Sequence, residues 1–371
     1  MSEPPTFVIG EVTIRPEVPE TWSFSALRGF EECPMRWALS RTAISCFGGP
    51  VPQKPNRSSV EGSLLHALLE RFARHAMQDG TEVFRPRRTL LEMVAGWARD
   101  NARNPRVDSK MLAGQVRLEE ILRSFVEARP HLKIVERRRA TASSSGKSGG
   151  VFEGPESWLR DPGSKLCGRA DLISSGEIVD FKSGEQQNHH VEQIGFYGAL
   201  YFAQSGRAPT VLRLIYTGTN EVREVPVLTL NELKLLLEEM RRRAAAAERQ
   251  VVGGELPAKP EPGRCEYCHV RGLCDTYWRL LRHGGQNLGG GQSQIIDYAP
   301  SAAAKIESAA LGVYVRDKFA DTASVLHLPQ EVAEKMGNDV ERLRVIAVRP
   351  STGTEGIRFA FTQSSEVYVR G

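Results

Sequence analysis

The stretch Gly168–Gly184 constrains the chain more than any other. Leu172–Ser174 and Ile178–Phe181 are short apolar runs, and Ser175-Gly176 between them is a turn signal. The spacing predicts a β-hairpin. Asp171 lies on its first strand. Asp180 and Lys182 stand two residues apart on the second and so share a face of the sheet. Gln193 and Tyr197 follow four apart, on one side of an expected helix. Two carboxylates brought together repel, and a hard divalent cation relieves that repulsion through oxygen ligation. Mg²⁺ or Mn²⁺ at such a place polarises a phosphodiester and lowers the pKa of the attacking water. A neighbouring lysine orients that water or balances charge in the transition state. Asp171, Asp180 and Lys182 therefore point to phosphodiester hydrolysis. Asp-x-Lys alone is common on solvated strand edges, so the rest of the chain decides how much it means.

A chain of 371 residues has room for one large domain and one smaller one. Its 40% hydrophobic and 25% charged residues are ordinary for a globular protein. The net charge of +4 permits nucleic-acid binding without requiring it. No apolar run reaches the roughly 18 residues of a membrane span. Met1–Pro5 lacks a basic stretch followed by an apolar one. The expectation is a cytoplasmic protein with no membrane partner. In that compartment six cysteines point to metal or chance rather than to disulfides.

Residues 1–20 are proline-rich, with an alternating stretch at Phe7–Ile14 that fits an edge strand. Ser23 or Ser25 can cap a short helix over Ala26–Glu32, and Pro34 starts another after Cys33. From Gly62 a helix carries the stripe Leu65, Leu68, Leu69 and Phe72, with His66 at its border. Two amphipathic helices are expected near 89–102 and 110–129, and a strand at His131–Val135. Glu136 and the basic run Arg137–Arg139 follow, then the Ser/Gly-rich Thr141–Gly150. Its Gly146-Lys147-Ser148 lacks the upstream glycine of a phosphate-binding loop.

Beyond the hairpin, 189–204 reads as helix, and Val211–Thr217 and Glu221–Val227 as strands. Thr229 and Glu232 form a capping box for a helix to about Gln250. Gly253–Gly263 loosens into Pro and Gly. Cys265, Cys268 and Cys274 then place three thiols in ten residues. Such a set calls for a fourth ligand, to complete a zinc site or an iron–sulfur cluster. His269 suits zinc; Cys33, Cys46 or Cys167 suits either. Gly284–Gln292 reads as a linker. Residues 293–371 carry no evident chemistry, with a helix expected near Ala302–Lys318 and strands at Leu343–Val348 and Ile357–Phe361.

Taken in order, these features resemble the RecB-type branch of the PD-(D/E)XK nuclease superfamily, in its iron–sulfur subgroup. That subgroup includes the AddB nuclease domain and the CRISPR-adaptation exonucleases. The resemblance covers roughly residues 21–282. Ser25, Cys33-Pro34 and Arg36 are similar to the family's opening helix with its first cluster cysteine. Gly62–His66 resembles its glycine-to-histidine helix motif. Gly168–Asp171, Asp180–Lys182 and Gln193 with Tyr197 resemble its nuclease motifs, and the three cysteines its tail.

The resemblance implies an α/β fold: a mixed sheet with a helical N-terminal part and an iron–sulfur clip. It implies a 21–283 nuclease domain; composition sets off a 1–20 extension before it, and a 284–292 linker and a small 293–371 C-terminal domain after it. Cys33 would complete a 4Fe–4S cluster with Cys265, Cys268 and Cys274, closing a long loop. His66, Asp171, Asp180 and the Phe181 carbonyl would hold Mg²⁺ or Mn²⁺. Lys182 would position water, and Gln193 and Tyr197 would orient Lys182 or the DNA backbone, with Glu136 as a helper. Many relatives carry glutamate where this chain has Asp180. The implied activity is a metal-dependent DNA nuclease, a single-strand-preferring exonuclease of repair, CRISPR spacer processing or antiphage defence, partnered by a helicase, adaptation or defence-complex protein. Trp37, Trp97, Phe181 and Tyr197 would suit stacking on single-stranded DNA. The alternative is an inactive iron–sulfur or zinc scaffold that binds DNA.

Overall fold

The computed structural model describes residues 4–77, 83–132, 153–282, 295–309, 312–319, 322–353 and 356–371. Strand β1 (Thr6–Ile9) precedes helices α1 (Phe24–Glu32) and α2 (Pro34–Leu39) and the short strands β2 (Ala43–Ile44) and β3 (Gly49–Pro50). Helices α3 (Arg57–Met77), α4 (Pro86–Asp100), α5 (Ser109–Gly114) and α6 (Leu118–Ala128) follow. Then come β4 (Gly154–Arg160), β5 (Cys167–Ser174), β6 (Glu177–Lys182), α7 (Asn188–Ser205), β7 (Val211–Tyr216), β8 (Glu221–Val225) and α8 (Leu230–Gly253). The cysteine stretch forms α9 (Pro262–Glu266) and α10 (Asp275–Arg282). Last are β9 (Ile296–Tyr298), β10 (Lys305–Ala309), β11 (Gly312–Phe319), β12 (Thr322–Leu328), α11 (Gln330–Met336), β13 (Leu343–Gly353) and β14 (Gly356–Arg370). Two compact units result. One takes Val18–Arg28 and Pro55–Gln250; the other takes Met1–Glu17, Gly29–Lys54 and Val251–Gly371.

The 55–250 unit is built on a five-stranded mixed sheet in the order β4-β5-β6-β7-β8. Only β6 and β7 run parallel, because α7 returns the chain between them. The β5–β6 hairpin closes through Ser175 (φ 53°) and Gly176 (φ 78°). Two successive positive φ values are what a two-residue turn matching strand twist requires. Helix α7 buries His190, Ile194 and every residue from Phe196 to Tyr201, as a crossover helix enclosed on several sides must.

Helix α3 starts where Asn56 Oδ1 accepts the Ser59 N–H at 2.9 Å. Its Leu64, Leu65, Leu68, Leu69 and Phe72 join Leu172, Val179 and Phe181 of the sheet in one apolar cluster. Truncating the fully buried Leu68 to alanine would cost about 2–5 kcal/mol. The helix expected over 110–129 is instead two, α5 and α6. Gly114 weakens the middle, and the Arg117 N–H goes to Glu61 Oε1 at 2.9 Å rather than back into a helix. The Arg117 guanidinium adds contacts of 3.1 and 2.7 Å to the same carboxylate, tying α3 to α6. The Thr229–Glu232 box forms as expected, with the Thr229 N–H on Glu232 Oε2 at 2.8 Å.

The other unit carries a seven-stranded sheet in the order β10-β11-β12-β14-β13-β9, with β1 paired in parallel to β14. The helix expected at Ala302–Lys318 is the hairpin β10–β11. Three alanines favour a helix there, but Val313 and Val315 are buried while Arg316 is exposed. That period of two, in β-branched residues, suits a sheet better. Phe7, Ile9, Val270, Leu273, Tyr277, Trp278, Ile346 and Tyr368 pack in one cluster. Arg271, between Cys268 and Cys274, donates to Asp297 Oδ2 at 2.6 Å, and Tyr277 Oη donates to the same oxygen at 2.8 Å. Glu136, the basic run, Thr141–Gly150, most of the 131–135 strand and the 284–292 linker lie outside the described residues. Among those residues no helix is long and apolar enough to cross a membrane.

Candidate active site

The hairpin brings Asp171 and Asp180 together because its two strands are joined by only two residues. Asp171 Oδ2 accepts the Phe181 N–H at 2.6 Å, so one acid reaches over the strand that bears the other. His66 arrives from α3: its Nδ1 stands 3.6 Å from Asp171 Oδ2, and its ring meets Phe181 edge-on at 6.3 Å. Gly62, one turn earlier, lies against Ser183, where a Cβ would fall 2.6 Å from Oγ. The glycine lets the helix approach the end of β6 this closely.

The electrostatics follow from crowding. Burial, then the neighbouring Asp180, push the Asp171 carboxyl well above the ordinary carboxylate range. Burial lowers His66, which is therefore a neutral ring with a free lone pair near pH 7. Asp180 is 2% exposed, and no donor among the described residues is aligned on its buried Oδ2, although Lys182 Nζ stands 2.5 Å away.

A relay leads away from Lys182. Its ammonium can only donate, and it donates to Gln193 Oε1 at 2.8 Å. That fixes the amide, whose Nε2 then donates to Tyr197 Oη at 2.7 Å. The four-residue spacing of Gln193 and Tyr197 on α7 makes this possible. Gly168 matters here: a Cβ on it would stand 2.7 Å from Tyr197 Cε1. The motif glycine on β5 is thus the floor on which the tyrosine lies. Burial raises the Tyr197 phenol, which stays protonated and able to donate onward.

Sequence reasoning missed Glu156. It lines the same cleft as His66, Glu70, Asp171 and Phe181. Strand register places it across from Asp171, between the pairs Pro155↔Leu172 and Ser157↔Ala170. Its φ of 54° is unusual for a non-glycine residue. No spacing rule reveals it, because the loop between β4 and β5 sets the register. A roomier cavity of about 420 Å³ lies elsewhere, among Phe72, His75, Phe84, Phe125 and Arg129, with no carboxylate among the described residues of its wall.

The cysteines form a second candidate site. Cys33, Cys265, Cys268 and Cys274 all line one small cavity with Arg36, Lys259 and Tyr277. Cys33 Sγ accepts the Arg36 N–H at 3.4 Å and the Lys259 N–H at 3.5 Å; Cys265 Sγ accepts the Glu261 N–H at 3.4 Å. Burial raises the Cys268 thiol to about 11, and raises Cys265 and Cys274 too. His269 turns to Gln53, at 3.2 Å, and is not part of the lining. Cys167 is buried, as a packing residue should be, whereas Cys46 is exposed, against expectation.

Among the described residues, no three His, Cys, Asp or Glu side chains converge tightly enough to hold a metal ion as they stand. The donor sets nonetheless suit the groups in question. Two crowded carboxylates with a neutral imidazole beside them suit a divalent ion. Four thiols around one cavity, with backbone N–H groups aimed at the sulfurs, suit a thiolate-held centre.

No curated protein matches the chain. A solved structure, "Putative exonuclease" from Eubacterium rectale, is similar over 70% of this chain and 88% of its own, with 15% identity and a TM-score of 0.35. The family model of the PD-(D/E)XK nuclease superfamily matches residues 21–275, a span that contains His66, Asp171, Asp180, Lys182, Gln193, Tyr197 and all four cavity cysteines. The chain belongs to the PD-(D/E)XK nuclease superfamily.

Proposed function

We propose that this nuclease hydrolyses DNA, acts from single-stranded ends, and carries a 4Fe–4S cluster on Cys33, Cys265, Cys268 and Cys274. The observation that carries the hydrolytic reading is the chain of contacts from Asp180 through Lys182 and Gln193 to Tyr197. A scaffold would have no use for a buried carboxylate pair that raises the energy of its own fold.

Asp171, Asp180, the Phe181 carbonyl and His66 would hold Mg²⁺ or Mn²⁺. Such an ion, when bound, polarises the phosphodiester and acidifies the attacking water. Lys182 holds its ammonium toward the reacting phosphate, where it orients water and offsets developing negative charge. Gln193 fixes that ammonium by accepting from it, and Tyr197 fixes Gln193. Neutral His66 offers a nitrogen rather than a second positive charge. The nuclease reading rests on residues 21–283, with 293–371 as an accessory domain whose Asp297 braces the cysteine loop through Arg271.

The test is end-labelled single- and double-stranded DNA with Mn²⁺, wild type beside Lys182→Ala. Cleavage by the wild type and its loss in the variant are expected; survival in the variant overturns the site. Visible absorption with iron and sulfide analysis tests the cluster, and a colourless zinc-loaded protein overturns it.

A further inference from the structure

The aromatic residues that the sequence nominated for base stacking do not offer a free ring. Trp37, Phe181 and Tyr197 are 3%, 3% and 6% exposed, and Trp97 packs against the apolar cluster. Trp158 differs: it is 51% exposed on β4, an outer strand of its sheet. Arg169 stands opposite it on β5. The guanidinium carbons of Arg160 and Arg169 lie 5.8 and 5.9 Å from its ring centroid. A lone exposed aromatic needs no explanation. One flanked by two guanidinium groups, on the face that bears the carboxylates, does.

The face is fixed by parity. Glu156, Trp158 and Arg160 alternate with the buried Ser157 and Leu159. Arg169 bridges the two places, because its Nε stands 2.5 Å from Glu156 Oε2 while its guanidinium sits over Trp158. Glu156 in turn lines the cleft with His66 and Asp171. Arg169 precedes Asp171 by two residues, about 7 Å along the strand, or roughly two nucleotides of stacked rise.

Resting on the nuclease reading, we infer that Trp158, Arg160 and Arg169 form a stacking platform for an unpaired base of single-stranded DNA next to the scissile phosphate. The indole takes the base face and the Arg160 guanidinium the flanking phosphate, while Arg169, paired with Glu156, holds the indole at its edge. A paired base is already stacked and must be flipped out at a cost before it can use the platform. The site therefore selects single strands at the point of cleavage.

The test uses the full chain in the Lys182→Ala background, without divalent ions, so that binding is read apart from cleavage. Trp158→Ala should weaken binding of an oligothymidylate by about 5- to 140-fold, from ~1–3 kcal/mol per stacked base. Binding of a blunt duplex should change less than twofold. Trp158→Phe should recover most of the loss, and an oligonucleotide with one abasic position should mimic it. Equal single-strand affinity with and without Trp158, or an equal loss on both DNAs, overturns the platform. Failure of the nuclease reading looks different: no Mn²⁺-dependent cleavage by the wild type, whatever Trp158 does to binding.

Discussion

The carboxylate cleft and the cysteine cavity pose the same electrostatic problem and assemble it by opposite routes. Each gathers groups that resist one another when ionised. In the cleft, Asp171 and Asp180 come from adjacent strands of one hairpin, and backbone geometry alone sets them together. In the cavity, Cys33 meets three cysteines more than 230 residues further along. The cleft also tolerates its burden within the fold: Lys182 stands beside Asp180, and the Phe181 N–H satisfies Asp171. The cavity's sulfurs accept weak backbone donors, and burial raises the Cys265, Cys268 and Cys274 thiols, Cys268 to about 11. A locally encoded site can stand without its ion. If the proposed cluster occupies the cavity, its loading would have to drive protons off the thiols and would tie together segments far apart in the chain.

The comparison can be broken, first and most severely, at Asp180. Asp180→Asn should lower Mn²⁺-dependent cleavage by at least about 10²–10³-fold, measured on end-labelled DNA. The same variant should melt close to wild type without divalent ions, since it relieves Asp171 but leaves Lys182 without its carboxylate partner. Mn²⁺ at a hundredfold over its Kd should stabilise the wild type by about 2.7 kcal/mol and the variant hardly at all. A variant that melts far lower in the absence of ions would show that the cleft is not self-sufficient.

Cys33→Ser tests the other side. If the cavity relies on its centre, this change should remove visible absorption and cost about 2–5 kcal/mol by thermal melting, as loss of a long-loop cross-link does. Cleavage per folded molecule should stay within a few fold of wild type.

A smaller effect is expected from Gly168→Ala. The added methyl must displace the Tyr197 ring from 2.7 Å, so the Lys182–Gln193–Tyr197 relay shifts. A tenfold fall in kcat with KM little changed is the expected result of steady-state kinetics. An unchanged kcat would mean that the relay does not position Lys182.

The mildest test is pH. His190 accepts or shares a proton with Tyr216 Oη at 3.2 Å, and burial lowers it to about 4. The unfolded chain holds this proton below about 6.5, whereas the folded chain resists it down to about 4. Stability is therefore full above pH 6.5 and falls as pH drops toward 4. His190→Gln should flatten that part of the melting-temperature profile; an unaltered slope would place the proton elsewhere.

Parts of both sites were readable from the chain, for physical reasons. A hairpin with a two-residue turn leaves little freedom, so Asp171, Asp180 and Lys182 followed from spacing. Gln193 and Tyr197 followed from helical pitch. Cys33 came from family likeness alone, since no local rule reaches across more than 230 residues. The helix expected at Ala302–Lys318 failed because pairing outweighs the propensity of three alanines. The stacking residues failed because hydrophobicity does not say which rings are covered: Trp37 and Trp158 look alike in sequence, yet one is 3% and the other 51% exposed.

By itself the sequence determined the identity of the acids, the lysine and the three clustered thiols, and the elements that carry them, because these depend on neighbours within a few residues. Tertiary structure alone decided that Glu156 faces Asp171, that Gly168 supports Tyr197, that four cysteines share a cavity, and that Trp158 stays in solvent. Those facts depend on strand register and on which surfaces are buried. Both are settled by the packing of distant segments, which no local pattern encodes.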